Sequence, residues 1–413
     1  MKALISNVLA CSVLVLAGCA GGASESSQAT SSSTMEDPSV RSSVEHNFRI
    51  VEVVDGLLHP WSMAFLPNGD MLVTELTGTG SREGVGSLRI VRNGELLPDP
   101  VAGVPEARTG GQGGLLDVVP HPDFESNRLI YISYSKANPD DSEGTTAVVR
   151  GRFENDELLD VEEIFEAEAW ESGRGHHGSR LAFDDQGYLF ITIGDRQVNP
   201  GGGEEAQREH PAQDLSLHHG TIVRLHDDGS VPDDNPFVNQ EGALPSIWSY
   251  GHRNPQGLVI HPETQGVYAV EHGPQGGDEL NLSRPGENYG WPVIGFGVNY
   301  GEGEPLHDKV NDPELLKPIY HWTPSIAPGG LTFYNGDAFP EWKESFFVAG
   351  MSNNYRELSR VVVDGDRFIT AERLLPGEFR IRDIRTGPDG YIYLATDDRG
   401  GEVTPIVRLE PVQ

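Results

Sequence analysis

Residues 173–195, GRGHHGSRLAFDDQGYLFITIGD, put two histidines and two arginines on a glycine-rich stretch and run it into a hydrophobic hairpin that ends in Gly194-Asp195. Glycines permit close approach of backbone to a ligand, and a neutral histidine accepts a proton near neutral pH. A base of this kind is usually oriented by a carboxylate, and Asp195 at a neighbouring strand end could meet His176 across the hairpin. The same letters also fit a plainer arrangement, two surface histidines ahead of an ordinary hairpin.

Other polar stretches share that placement. Residues 110–114 are Gly-Gly-Gln-Gly-Gly, where Gln112 offers both a donor and an acceptor. Residues 250–255 carry Arg253 and Asn254, residues 271–279 read EHGPQGGDE, residues 288–291 read NYGW, and residues 380–383 read RIRD. Each is weak alone, since glycine-rich turns are common in all-β proteins and an Arg-x-Arg pair is most often a solvated strand face. All of them sit at hairpin junctions.

The elements that must hold these residues repeat. Strand–turn–strand segments begin at residues 64, 118, 181, 258, 331 and 384, with turns such as PNG, DDQG and PDG. Each copy is expected to alternate apolar and polar residues, the pattern of an antiparallel hairpin. A period of this size in an all-β sequence predicts propeller blades, and six copies predict a six-bladed β-propeller. The runner-up, a pair of β-sandwiches, does not explain six similar hairpins. A strand at 48–54 and another at 406–409 are expected to share one blade and close the ring. A propeller brings loops from every blade to one mouth of its channel, so the polar stretches are expected to converge there.

Taken together, GGQGGLLDV, His176 four residues before Arg180 with TIGD following, SYGHRNPQGL, EHGPQGGDELN with NYGWP, and RIRD make the chain resemble the soluble quinoprotein glucose/aldose sugar dehydrogenases. These are six-bladed propellers that use pyrroloquinoline quinone (PQQ) and calcium. The resemblance covers essentially all of residues 50–411. It implies His176 as general base and Asp195 as its orienting carboxylate. It implies Gln112, Arg253 and Asn254 as quinone-contacting groups, Arg253 also stabilising charge on the quinone oxygen. Arg380 and Arg382 would face the cofactor's three carboxylates, the bland alternative being an internal ion pair with Asp383 or Asp397. Gly273 and Pro274 would offer carbonyls to a catalytic calcium, and Glu279 and Tyr289 match a second, structural calcium site. The chain departs from the pattern at residues 349–352, Ala-Gly-Met-Ser, where some members have a lysine; Ser352 and its neighbours bring no cation there. The activity implied is oxidation of an aldose at C1 to the lactone, with an unidentified electron acceptor. No G-x-G-x-x-G segment precedes a helix, so a nicotinamide cofactor is not indicated.

Two other functions stay open: a calcium-dependent propeller lactonase, which predicts carboxylate and amide side chains as the main metal ligands, and a non-enzymatic binding propeller at the cell surface.

The chain ends define the organisation. Residues 1–19 read as a signal peptide ending in Leu-Ala-Gly-Cys, which resembles a bacterial lipobox acylated at Cys19. Residues 20–45 hold almost no large apolar side chain and read as a flexible Ser-rich tether, leaving 46–413 as the propeller domain. Ala20 in place of an aspartate favours the periplasmic face of the outer membrane over the inner membrane. Both cysteines, Cys11 and Cys19, precede the mature globule, which therefore has no disulfide. The net charge of -33 disfavours nucleic acid as a partner, and only five lysines offset the acidic residues. Association as a homodimer is left open.

Overall fold

Six antiparallel sheets account for nearly all the regular structure of the computed structural model, which describes residues 39–76, 86–301, 303–398 and 400–412. In chain order the first blade is Pro60–Phe65, Met71–Glu75, Ser87–Arg92 and Glu95–Leu96. The second runs from Leu115–Pro120 to Glu157–Glu166, and the third is Leu181–Phe183, Leu189–Ile193, Thr221–Leu225 and Ile247–Tyr250. The fourth is Pro255–Ile260, Val267–Glu271, Asp278–Ser283 and Tyr320–Trp322, and the fifth spans Pro328–Tyr334 to Arg367–Leu374. The sixth takes Ile381–Thr386, Ile392–Thr396 and Val403–Val412 from the end of the chain, and Asn47–Leu58 and Val40–Ser42 from its beginning. The fold is the expected six-bladed propeller. The first strands of successive blades touch in order, the sixth touching the first.

Closure follows the sequence expectation: Asn47–Leu58 pairs with Val403–Val412, so a single sheet holds both ends of the domain. The fold starts inside the expected tether, because Val40–Ser42 pairs with Asn47–Arg49 and Arg41 makes an ion pair with Glu378 at 2.8 Å. The leader at 1–19 and the tether up to residue 38 lie outside the described residues.

One expectation needs correcting. The second strand of each hairpin does not alternate: Met71–Glu75, Leu189–Ile193, Val267–Glu271 and Ile392–Thr396 are buried throughout. The reason is that each blade is covered on both faces by its neighbours. Ile191 packs with Tyr131 and Val148 of the second blade, whereas Phe190, one residue earlier, packs with Leu258 and Ala269 of the fourth. Successive side chains of a strand point to opposite faces, so a strand covered on both faces is buried at every position, and its apolar residues no longer alternate with exposed polar ones.

Candidate active site

In each blade the first strand starts, and the second strand ends, at the same end of the sheet. Residues just before the first strand and just after the second therefore share one mouth. His176 and Gln112 precede first strands, Asp195 and Gly273 follow second strands, and Arg253 leads into Pro255–Ile260.

The pairing expected across the third hairpin is present. His176 Nδ1 lies 2.6 Å from Asp195 Oδ1, and both residues are buried. An ionised carboxylate only accepts, so Nδ1 carries the proton and Nε2 is left as the basic nitrogen. Two surface histidines are excluded, since His177 is buried as well. Burial pushes the His176 imidazole below its ordinary value, Asp195 acting against this and Arg253 with it. Burial also works against the Asp195 carboxylate, but His176, Arg253 and the Gln197 N–H hold it below the usual range.

The loop that presents His176 is tightly specified. His176 has φ 46°, in the left-handed region that non-glycine residues rarely adopt. Its N–H donates to Gln112 Oε1 (2.9 Å), and Asn254 Oδ1 accepts from the Gly178 N–H (3.1 Å). Gly194 is required by packing, because a Cβ there would come within 2.2 Å of the His176 carbonyl oxygen. Gln112 and Asn254, expected as cofactor contacts, brace the loop that carries His176.

Above the pair lies a cavity of about 310 Å³ bordered by His176, Asp195, Gln197, Arg253, Trp291 and Tyr300. The Arg253 guanidinium donates to the carbonyls of His272 (3.0 Å) and Gly273 (2.8 Å) and lies over the Trp291 ring. A second cavity, about 110 Å³, is bordered by Trp61, Gln112, Gln256, His272, Arg380 and Arg382. The two arginines of RIRD differ there. Arg380 pairs with Asp397, the internal ion pair foreseen as the bland alternative. Arg382 makes no ion pair among the described residues; it donates to Gln256 Oε1 (2.8 Å), touches Met351 Sδ and stacks on Trp61. Burial, with Arg180 and Arg380 nearby, pushes it well below the usual arginine value. A buried cation in that condition calls for an anion.

Gly273 and Pro274 border a third, small cavity of about 20 Å³ together with Glu271, Glu279 and Tyr289. The Tyr289 hydroxyl is committed to the hairpin, donating to Leu282 O (2.5 Å) and accepting from the Arg284 N–H (3.0 Å). Among the described residues no group of three or more His, Cys, Asp or Glu is placed to hold a metal ion.

Sequence reasoning missed Trp61, Gln256 and Arg382 as a set, and the reason is a repeated bulge. In the first, fourth and sixth blades the ladder skips one residue at the start of the first strand, between Pro60 and Ser62, Pro255 and Gly257, and Ile381 and Asp383. The skipped residues are Trp61, Gln256 and Arg382, and all three border the same cavity. A bulge re-aims a side chain, and no residue type announces it. Trp291 lies within the NYGW stretch, and its place beside Asp195 has no local signal.

A model of the glucose/sorbosone dehydrogenase family matches residues 57–407. The chain is 41% identical over 363 residues to the aldose sugar dehydrogenase YliI of Escherichia coli K12, covering 86% of this chain and 92% of the relative. The crystal structure of the soluble aldose sugar dehydrogenase from Escherichia coli, in its apo-form, superposes with a TM-score of 0.78 at 39% identity, over 88% of this chain and 100% of that one. The PQQ-bound aldose sugar dehydrogenase of Streptomyces coelicolor superposes with a TM-score of 0.69 at 26% identity, over 88% and 98%.

Proposed function

Since the chain belongs to the glucose/sorbosone dehydrogenase family, we propose that it is a PQQ- and calcium-dependent dehydrogenase that oxidises aldose sugars at C1 to the lactone. The observation that carries this reading is the His176–Asp195 contact at 2.6 Å beneath an open cavity, beside a pocket whose buried Arg382 has no carboxylate partner.

The residues present fit the cofactor. PQQ is a tricarboxylate, and Arg382, Gln112 and Gln256 are donors bordering one cavity, while Arg253 borders the cavity over His176. Gly273 and Pro274 would supply carbonyl oxygens, the ligands a hard ion prefers. When bound, the quinone supplies a two-electron acceptor beside C1, and calcium polarises its carbonyl. With Ser352 where some members have a lysine, one cation fewer holds the quinone and its binding is weakened, leaving more of it to Arg382, against which Met351 lies.

The chain's own part is proton removal and positioning. His176 Nε2 takes the proton of the C1 hydroxyl, and Asp195, hydrogen-bonded at Nδ1, fixes the tautomer and stabilises the imidazolium. The low intrinsic basicity that burial imposes keeps His176 neutral, and so competent, at neutral pH. Arg253 places positive charge where negative charge develops. Tyr300, exposed at the rim, and Gln197 border the space left for the sugar.

Reconstitution tests the reading: purified protein given PQQ and calcium should reduce a dye when supplied with aldoses. Bound PQQ with no dye reduction for any aldose in a broad panel would refute the substrate class; no PQQ binding would refute the cofactor. Anchoring through Cys19 at the periplasmic face of the outer membrane belongs to the same proposal.

A further inference from the structure

Asp195 serves two partners with separate oxygens. Oδ1 accepts from His176 Nδ1 (2.6 Å) and the Gln197 N–H (2.9 Å), and Oδ2 accepts from the Trp291 indole Nε1–H at 2.7 Å. The carboxylate is 1% exposed, so bulk solvent contributes little to holding it. Trp291 comes from the loop after Asp278–Ser283 of the fourth blade, whereas His176 and Asp195 belong to the third. It is itself held fast: its N–H donates to Gly251 O (2.7 Å), its carbonyl accepts from Gln213 Nε2 (2.7 Å), and its ring lies under Arg253. An indole N–H only donates, so it stabilises an ionised carboxylate and cannot stabilise a protonated one through its hydrogen.

We infer that Trp291 is a positioning residue for the His176–Asp195 pair: its indole holds Asp195 by Oδ2, aims Oδ1 at the imidazole, and tempers the basicity of His176 by drawing charge from the carboxylate. A phenyl ring would fill much of the indole's space without a donor and leave Oδ2 buried and unsatisfied, a costly state for an ion. The other charged or titratable groups that face the pair are Arg253 and Arg196, which act on both His176 and Asp195, with His177 and His272 beyond His176, and His210 and His219 toward Asp195. None of them contacts Oδ2 by a hydrogen bond among the described residues. Losing the indole donor makes protonation of the pair more favourable whichever partner takes the proton. The pair should then titrate about one pH unit higher.

The inference about catalysis rests on His176 being the base, so the test separates the two. Histidine-labelled protein without cofactor is titrated by NMR. The His176 ring should titrate about one pH unit higher in Trp291→Phe than in the unaltered protein, and Trp291→Phe should add no shift in an Asp195→Asn background. In the unaltered protein, which needs no variant to fold, the Trp291 indole N–H should resonate at low field and move with the His176 midpoint. An unchanged midpoint in Trp291→Phe, or an indole resonance indifferent to that titration, overturns the inference. With reconstituted enzyme the acid limb of kcat/KM should move up by the same amount. If the NMR midpoint moves and the limb does not, His176 is not the base, while the Trp291–Asp195 link stands.

Discussion

Glu279 stands directly opposite Glu271 on the ladder between Val267–Glu271 and Asp278–Ser283. Asn281 Nδ2 bridges them, 2.9 Å from Glu271 Oε1 and 3.2 Å from Glu279 Oε2. Carboxylates opposed on a ladder repel, and burial followed by Glu271 pushes the Glu279 carboxyl well above its ordinary range. A divalent ion in the adjoining cavity of about 20 Å³ would relieve both.

Chelation should therefore lower the melting temperature and calcium should restore it, a ligand at a hundredfold excess over its Kd adding about 2.7 kcal/mol. Glu279→Gln should melt above the chelated parent and lose the calcium response. Scanning calorimetry decides: a variant still stabilised by calcium as much as the parent removes Glu279 from the site.

Arg382 and Arg380 should part company. Arg382→Gln removes a buried cation with no ion-pair partner, so the cofactor-free fold should melt no lower, while PQQ affinity falls tenfold or more, a change of about 1.4 kcal/mol or greater. Arg380→Gln strands Asp397, whose remaining partner is His59 at 2.9 Å, and should cost stability with a smaller loss of affinity. Equilibrium dialysis beside melting curves reads both, and the reverse pattern would assign the cofactor's carboxylates to Arg380.

For the adjacent histidines, His176→Ala should lower kcat by about 100- to 10,000-fold while PQQ and calcium still bind. Asp195→Asn should do part of that damage. His177 is buried, and burial with Arg196 and Arg108 holds it far below the ordinary histidine range, away from the cavity over the pair. His177→Ala should act on stability more than on turnover. An inactive His177→Ala beside an active His176→Ala, each assayed as holoenzyme, would move the base by one residue.

Stability should decline in acid partly through His218. Its Nδ1 accepts from the Glu168 N–H (2.9 Å) and its Nε2 meets Ser246 Oγ (2.8 Å), so the ring is folded in as a neutral donor–acceptor. Burial, then His219, lowers it to about 3. The folded value is below the unfolded one, near 6.5, so the unfolded chain binds the extra proton and stability drops as pH falls from about 6.5 toward 3. His218→Asn should reduce the slope of unfolding free energy against pH by about 1.4 kcal/mol per pH unit in that window. Urea titrations between pH 4 and 7 measure it, and an unchanged slope would mean that His218 does not titrate there.

Cys19→Ser should release the protein from membranes with its activity intact. Persistence in the membrane fraction would remove the lipobox proposal.

The blades were legible from the letters alone. Turn residues such as Pro67-Asn68-Gly69 and Pro388-Asp389-Gly390 act on their own neighbours, so each hairpin is readable where it stands. The strands at 48–54 and 406–409 foretold the closing sheet, and His176 with Asp195 fell within one hairpin's reach, 19 residues apart. What crosses between blades was settled only by closing the ring. Trp291 meets Asp195 across 96 residues, and Arg382 reaches Gln256 across 126. Arg380 and Arg382 share one motif yet part ways, because a bulge turns the second into the cavity while Asp397 takes the first. Local letters fix backbone preference over a few residues; which side chains then face one another depends on register, bulges and the rotation between neighbouring sheets, and these are set by how all six blades pack together.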